Sequence, residues 1–272
     1  MVRLVHPFPS VLDGIVVFAV ALLAGGGVAT ATRLAVSMAA LQFAIGALND
    51  LVDAPADAGR VPPKPIPGGL VDPRTARGVV VVAAGAGVVL ALPSGPATFL
   101  VAIAVLLVGA AYDLLAKGTA WSWLPFAVGI PLLPVYGWLG VTGSLPDFFR
   151  ILVPMAVLAG AGLAVANARV DLETDRAAGT RSVATALGAR RSWWAGMVLM
   201  AAATGVGMVL ADPLAWPLVP LALIVAGTLV VMAGVSLGWR RDVAARRRAW
   251  EAQAVGAAIA AAGWVAGLLA RP

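Results

Sequence analysis

Asn49-Asp50-Leu51-Val52-Asp53-Ala54-Pro55-Ala56-Asp57 closes an apolar run, residues 33–50, that is about the length needed to cross a bilayer as a helix. Asp50, Asp53 and Asp57 fall at i, i+3 and i+7, which lines one face of a helix. Pro55 leaves open a second arrangement, in which Asp57 comes from a loop. Carboxylates at a helix C-terminus oppose the helix dipole, and crowding like charges on one face costs energy. Solvated turn acids are common, but ionisable groups at membrane depth are expensive and generally functional.

The rest of the chain has the same character. Of 272 residues 61% are hydrophobic and 12% charged, about half the charge of a soluble domain, and the mean hydropathy is +0.95. Nine apolar stretches stand out: 12–30, 33–50, 77–94, 97–115, 121–141, 149–168, 193–211, 214–237 and 251–270. Breakers such as Pro93-Ser94-Gly95-Pro96 and Asp212-Pro213 separate them. The expected fold is therefore an all-α integral membrane bundle of nine helices, a single domain over residues 1–272. No cleavable signal peptide is expected, since no small-residue cleavage site follows the first apolar run.

Counted by alternate loops, one side of the membrane carries 16 of the 19 basic residues. The other carries only Arg33, Arg150 and Arg271. The positive-inside rule then places the N-terminus and the acidic loops in the cytoplasm and the C-terminus outside. This distribution also accounts for the net charge of +6 without a nucleic acid partner. Trp121, Trp123, Trp193, Trp194, Trp216, Trp239 and Trp250 lie near span ends, where interfacial anchoring is the expected role. Phe43, Phe126, Tyr136 and Trp138 have no role that their position in apolar helices reveals.

A second acidic stretch follows the sixth span: Asn167-Ala168-Arg169-Val170-Asp171-Leu172-Glu173-Thr174-Asp175. Asn167, Asp171 and Asp175 are spaced i, i+4 and i+8, again one helical face, with Glu173 pointing elsewhere. Asn49 and Asn167 are 118 residues apart, and four spans separate them. The pattern reads as two four-helix repeats with a ninth helix added, bringing the two clusters face to face across a cavity. The loops concerned are about 49–76 and 167–190.

Facing carboxylate clusters suit a divalent cation. Cysteine is absent and His6 is the sole histidine, so the ligands are oxygens, which favours Mg²⁺, or Mn²⁺, over zinc. Mg²⁺ is commonly held by a few carboxylates together with substrate phosphates. Basic residues stand beside the acids: Arg60 and Lys64 after the first cluster, Lys117 after the fourth span, Arg181 after the second cluster. Carboxylate, metal, phosphate and Lys or Arg form the charge sequence of diphosphate chemistry. For Arg190, Arg191 and the Arg240–Arg248 run, topology signalling is the expected role.

At these residues the sequence resembles the UbiA superfamily of intramembrane prenyltransferases. Asn49, Asp50, Asp53 and Asp57 match its N-D-x-x-D-x-x-x-D motif. Lys64-Pro65-Ile66-Pro67-Gly68-Gly69 is similar to its R-P-I-P-S-G, with Lys for Arg. Asn167, Asp171, Asp175 and Gly179 match its second motif, trailed by Leu187-Gly188. Tyr112 and Lys117 resemble its Tyr-x-x-x-Lys element with one extra residue between them.

The resemblance implies that Asp50, Asp53, Asp57, Asp171 and Asp175 hold Mg²⁺ on an isoprenyl diphosphate. Asn49 and Asn167 would orient the carboxylates or supply neutral oxygen ligands. Arg60, Lys64, Lys117 and Arg181 would bind the diphosphate, and Lys64, Lys117, Arg181 and Tyr112 would assist its departure. The acceptor commonly used by the family is an aromatic ring, and other lipophilic acceptors fit the same site. Three alternatives remain at this level. One is a terpene cyclase of the same type, which needs no acceptor. Another is a different transferase with Asp-bound metal. The third is a transporter, whose acids would lie nearer mid-membrane.

Overall fold

A computed structural model describes residues 7–59, 63–211 and 216–270. Every regular element among the described residues is a helix. In order it forms α1 (Pro7–Leu23), α2 (Val28–Asp53), α3 (Pro73–Ala91), α4 (Pro96–Ala111), α5 (Leu124–Thr142), α6 (Phe149–Ala168), the short α7 (Leu172–Ala177), α8 (Val183–Leu210), α9 (Leu218–Leu237) and α10 (Val243–Leu269). A 3₁₀ turn, Leu92–Ser94, follows α3, and a π-helical turn, Tyr112–Ala116, follows α4. Eight of these helices are long and apolar enough to cross a membrane, and α1 is a shorter apolar helix. At 17 residues α1 extends about 26 Å, close to the roughly 30 Å hydrocarbon thickness. The nine expected spans thus correspond to the nine long helices among the described residues.

Several boundaries differ from expectation, each for a local reason. The first span, expected over 12–30, is a helix over 7–23, because Gly25 (φ +84°) breaks it before Gly26 and Gly27. The eighth helix begins at Val183 rather than at 193, because Ser182 and Thr185 form a capping box. The last begins at Val243 rather than at 251, with Asp242 accepting from the Ala245 amide at 2.7 Å. Hydropathy marks the segment within the bilayer, whereas caps mark the helix.

The described residues group into two compact units, one within 1–115 and 132–145, the other within 116–131 and 146–272. These units do not coincide with the four-helix halves read from motif spacing. α5 contributes to both, and α10 belongs to the second unit, where it packs along α9.

In the first unit α2 is central and packs against α1, α3 and α4. Gly87 and Gly109 let neighbouring helices approach, since a Cβ at either would come within 2.6 Å of Leu41 or Ile45. The Ser37 hydroxyl donates to the Gly87 carbonyl and shares a 2.6 Å hydrogen bond with Tyr136, which is fully buried. Tyr136 is therefore a packing residue of this unit. In the second unit α10 lies against α9 and α6, and α6 against α8. Gly227, Gly256 and Gly263 bring the α9 and α10 backbones together, the small-residue contact usual in membrane helices. Trp216, expected at an interface, is instead 5% exposed and lies over Gly267.

Candidate active site

Asn49, Asp50 and Asp53 occupy the last turn of α2. The helical register outlasts the formal end of the helix, because the Asp57 amide donates to the Asp53 carbonyl at 2.9 Å. Pro55 has no N–H to lose from this turn. Both Asp50 and Asp57 are buried, so the first cluster lies on one face as its spacing predicts.

The loop that follows turns back on these acids. Within Lys64-Pro65-Ile66-Pro67-Gly68-Gly69, the Gly68 amide donates to the Lys64 carbonyl at 2.9 Å, and the Leu70 and Val71 amides donate to the Pro65 carbonyl. A Cβ at Gly68 would lie 2.9 Å from the Lys64 carbonyl oxygen, and Gly69 has φ +68°. Ile66 packs with Leu51 and Val80 around buried Ala47, Val71 and Ala76, pinning the loop to α2 and α3. Asp72 accepts from the Arg74 amide at 2.7 Å, with Pro73 opening α3.

This coil delivers the Lys64 ammonium into the cluster. Its Nζ lies 2.8 Å from Asp57, 3.2 Å from Asp50 and 3.5 Å from Asp53. Burial acts against the charge, but the Asp57 hydrogen bond and the fields of Asp50, Asp57 and Asp53 outweigh it and raise the Lys64 pKa. Three carboxylates thus converge on one cation. Among the described residues no group of three or more acids makes a metal cage by itself. Arg60 lies outside the described residues.

Asn49 has a partner that sequence reading missed. Its Nδ2 donates to Oδ1 of Asp113 at 2.7 Å, and Asp113 is 4% exposed. Asp113 lies in the π turn that opens with Tyr112. The extra residue between Tyr112 and Lys117 falls in this turn, the usual way a helix absorbs a one-residue insertion and a frequent mark of functional sites. Tyr112 and Lys117 are both half-buried.

The second cluster is not the continuous helical face that its spacing implied. α6 ends at Ala168, the Val170 amide turns back to the Asn167 carbonyl at 2.9 Å, and Asp171 directly precedes the new helix α7. Asn167 is in the last turn of α6, while Asp171 and Asp175 stand one turn apart, joined by the Asp175 amide to the Asp171 carbonyl at 2.8 Å. All three are half-buried. Gly179, with φ +70°, ends α7, and the Thr180 amide donates to the Asp175 carbonyl at 2.8 Å. Arg181 is exposed between α7 and α8. Gly188, with φ +78°, kinks α8 one turn after its start.

Glu173 faces away from this pair, as expected, and the reason is Arg246. Nη1 and Nη2 of Arg246 donate to the Glu173 carboxylate, and Nη1 also donates to the Arg169 carbonyl at 3.0 Å. Hydrogen bonding to Arg246 holds the Glu173 pKa below its ordinary value. Arg246 is 3% exposed, so beyond the topology role expected of it, it holds a structural contact. Arg169 is also buried and donates to the Ala189 and Gly238 carbonyls and to Ser192. Burial, then the nearby Arg246 charge, lowers its pKa to about 10. The two arginines tie the α6–α7 junction to α8 and α10.

Comparison with known proteins shows the family of the chain. Residues 14–261 match the UbiA prenyltransferase family. A digeranylgeranylglyceryl phosphate synthase from Natronomonas pharaonis is 31% identical over 209 residues, covering 74% of each chain. The apo structure of a UbiA homologue from Aeropyrum pernix K1 superposes with a TM-score of 0.79 at 20% identity, over 97% of this chain and 98% of that one. A UbiA homologue from Archaeoglobus fulgidus bound to DMAPP and Mg²⁺ gives 0.72 at 19% identity, over 95% and 98%. With a family match over most of its length, and paired Asn-Asp motifs at the ends of α2 and α6, the chain belongs to the UbiA prenyltransferase family.

Proposed function

We propose that the protein transfers an isoprenyl group from an isoprenyl diphosphate to a hydroxyl of a glyceryl phosphate lipid, in a Mg²⁺-dependent reaction within the membrane. The observation that carries this reading is the convergence of Asp50, Asp53 and Asp57 on the single Lys64 ammonium. A position that already gathers three carboxylates around one cation fits an oxygen-ligated metal. The choice of acceptor follows the Natronomonas pharaonis relative, whose name states the product digeranylgeranylglyceryl phosphate. It is preferred to the aromatic ring expected from the wider family.

When bound, Mg²⁺ would neutralise charge on the diphosphate as it leaves. Asp50, Asp53 and Asp57 are the ligands supplied by α2 and its following turn, and Asp171 and Asp175 those supplied by α7. Asn49 and Asn167 orient these ligands or add neutral oxygens. Lys64, Lys117, Arg60 and Arg181 bind the phosphate oxygens, and Tyr112, five residues before Lys117 in the chain, assists the departure of the diphosphate. The allylic carbon–oxygen bond breaks with its electron pair going to the diphosphate. The acceptor oxygen then bonds to that carbon and gives up its proton to solvent. We further place both acidic loops and the N-terminus in the cytoplasm, and treat the chain as one catalytic domain.

The test supplies purified protein with Mg²⁺ and radiolabelled isoprenyl diphosphates of several lengths. The acceptor is a prenylated glyceryl phosphate, an aromatic acid, or none. The reading expects labelled lipid only with the glyceryl phosphate. Product from the aromatic acid would return the assignment to the wider family's acceptor, and a hydrocarbon or alcohol formed without acceptor would make the protein a cyclase.

A further inference from the structure

We propose that Asp113 is a positioning residue that fixes which face of the Asn49 amide meets the bound cation. The inference rests on the proposed role of the first cluster in holding that cation. Asn49 directly precedes Asp50 in the last turn of α2. Its amide has one group that can ligate a cation, the oxygen, and one that repels it, the NH₂. The two are hard to tell apart by shape, so an amide near a metal needs a partner to set its orientation.

Asp113 is such a partner. An ionised carboxylate only accepts hydrogen bonds, so at 2.7 Å the side of Asn49 turned to Asp113 is the NH₂. The amide oxygen is then the atom presented on the other side. A charge-assisted hydrogen bond is stronger than a neutral one. It also draws electron density toward the amide oxygen, as partners of metal ligands do elsewhere. Asp113 is buried and separated from Asn49 by 64 residues, so the contact is built by tertiary packing of α4's end against α2. The Asp113 carboxylate leaves the chain within the π turn Tyr112–Ala116, a rare turn that is frequent at functional sites.

The test measures Mn²⁺ binding to purified protein by electron paramagnetic resonance, in the presence of inorganic diphosphate, alongside thermal unfolding without metal. Asp113→Ala should weaken Mn²⁺ binding about 10–100-fold, the usual effect of losing a partner of a metal ligand. Asp113→Asn keeps an acceptor but can also donate and carries no charge, so it should weaken binding by more than about threefold yet less than Asp113→Ala. In an Asn49→Ala background, Asp113→Ala should add nothing further. Independent, multiplying effects in the double variant would overturn the inference, as would unchanged Mn²⁺ affinity in Asp113→Ala. If Asp113→Ala does not fold, Asp113→Ser takes its place, and the exchange Asn49→Asp with Asp113→Asn should restore binding. Asp50→Ala separates the two levels. If it too leaves Mn²⁺ binding intact, the first cluster is not the metal site, whereas if it abolishes binding and Asp113→Ala does not weaken it, only the positioning role fails.

Discussion

The Lys64 ammonium lies 2.8 Å from a carboxylate oxygen of Asp57 and within 3.5 Å of Asp50 and Asp53. Without metal, this ammonium offsets part of the charge of three crowded acids. Lys64→Met should therefore lower the melting temperature of the metal-free protein, at about 2–4 °C per kcal/mol lost. Mg²⁺ should then raise the melting temperature more in Lys64→Met than in the parent, because no ammonium competes for the same oxygens. Turnover should still fall, since Lys64 is proposed to meet the diphosphate. A smaller Mg²⁺-induced shift in the variant would show that the lysine and the metal do not share these carboxylates.

Glu173 and Arg246 make the opposite prediction for the second cluster. Glu173→Ala takes both carboxylate oxygens away from a buried guanidinium, and should cost about 1–3 kcal/mol of stability. The guanidinium retains the Arg169 and Arg240 carbonyls as acceptors. Because Glu173 turns away from Asp171 and Asp175, rate measured below the melting transition should fall far less than in Asp171→Ala. Equal losses of rate, in proteins with equal folded fractions, would place Glu173 in the site.

Ile66 tests how the Lys64 loop is held. Ile66→Ala removes the side chain that pins Lys64-Pro65-Ile66-Pro67-Gly68-Gly69 to the Leu51 and Val80 surface. As Ile66 is only half-buried, the stability cost should be at or below the low end of the usual range, about 2 kcal/mol. Limited proteolysis should cut the loop faster, and turnover should drop although no charged residue has changed. Unchanged proteolysis and turnover would mean that the backbone hydrogen bonds to Lys64 and Pro65 hold the loop alone.

The helices were legible because apolar length is a coarse and robust signal, and the motifs because repeated Asn and Asp spacing is rare. Other features were hidden by the same simplicity. Asp113 is a single acid in Tyr112-Asp113-Leu114-Leu115-Ala116-Lys117, with no spacing partner nearby in sequence, since its partner is 64 residues away. The break between Asn167 and Asp171 could not be read from an i, i+4, i+8 pattern that a continuous helix would equally produce. Arg246 looked like its neighbours Arg247 and Arg248, but helical rotation turns it inward and leaves them exposed.

Topology can be measured with single cysteines, as the chain has none. Glycines are poor sites here, because Gly68 is closely packed and Gly95 and Gly179 have positive φ. Leu70→Cys and Ala178→Cys, both exposed, should react with an impermeant maleimide only after the cytoplasmic face is opened. Ala97→Cys and Ser144→Cys should react in intact cells. Labelling of Leu70→Cys and Ala178→Cys from opposite faces would separate the two acidic loops by the full bilayer and end the two-cluster account.

The most direct test of that account is diphosphate release from a labelled isoprenyl diphosphate, followed against Mg²⁺ concentration for the parent, Asp50→Ala and Asp171→Ala, each confirmed folded in detergent. The account predicts release that vanishes in chelator, returns with Mg²⁺, and falls by at least about a hundredfold in either variant, as expected when transition-state charge loses its preorganised partners. Release that survives chelation, or that persists at the parental rate when either cluster loses its aspartate, would contradict it.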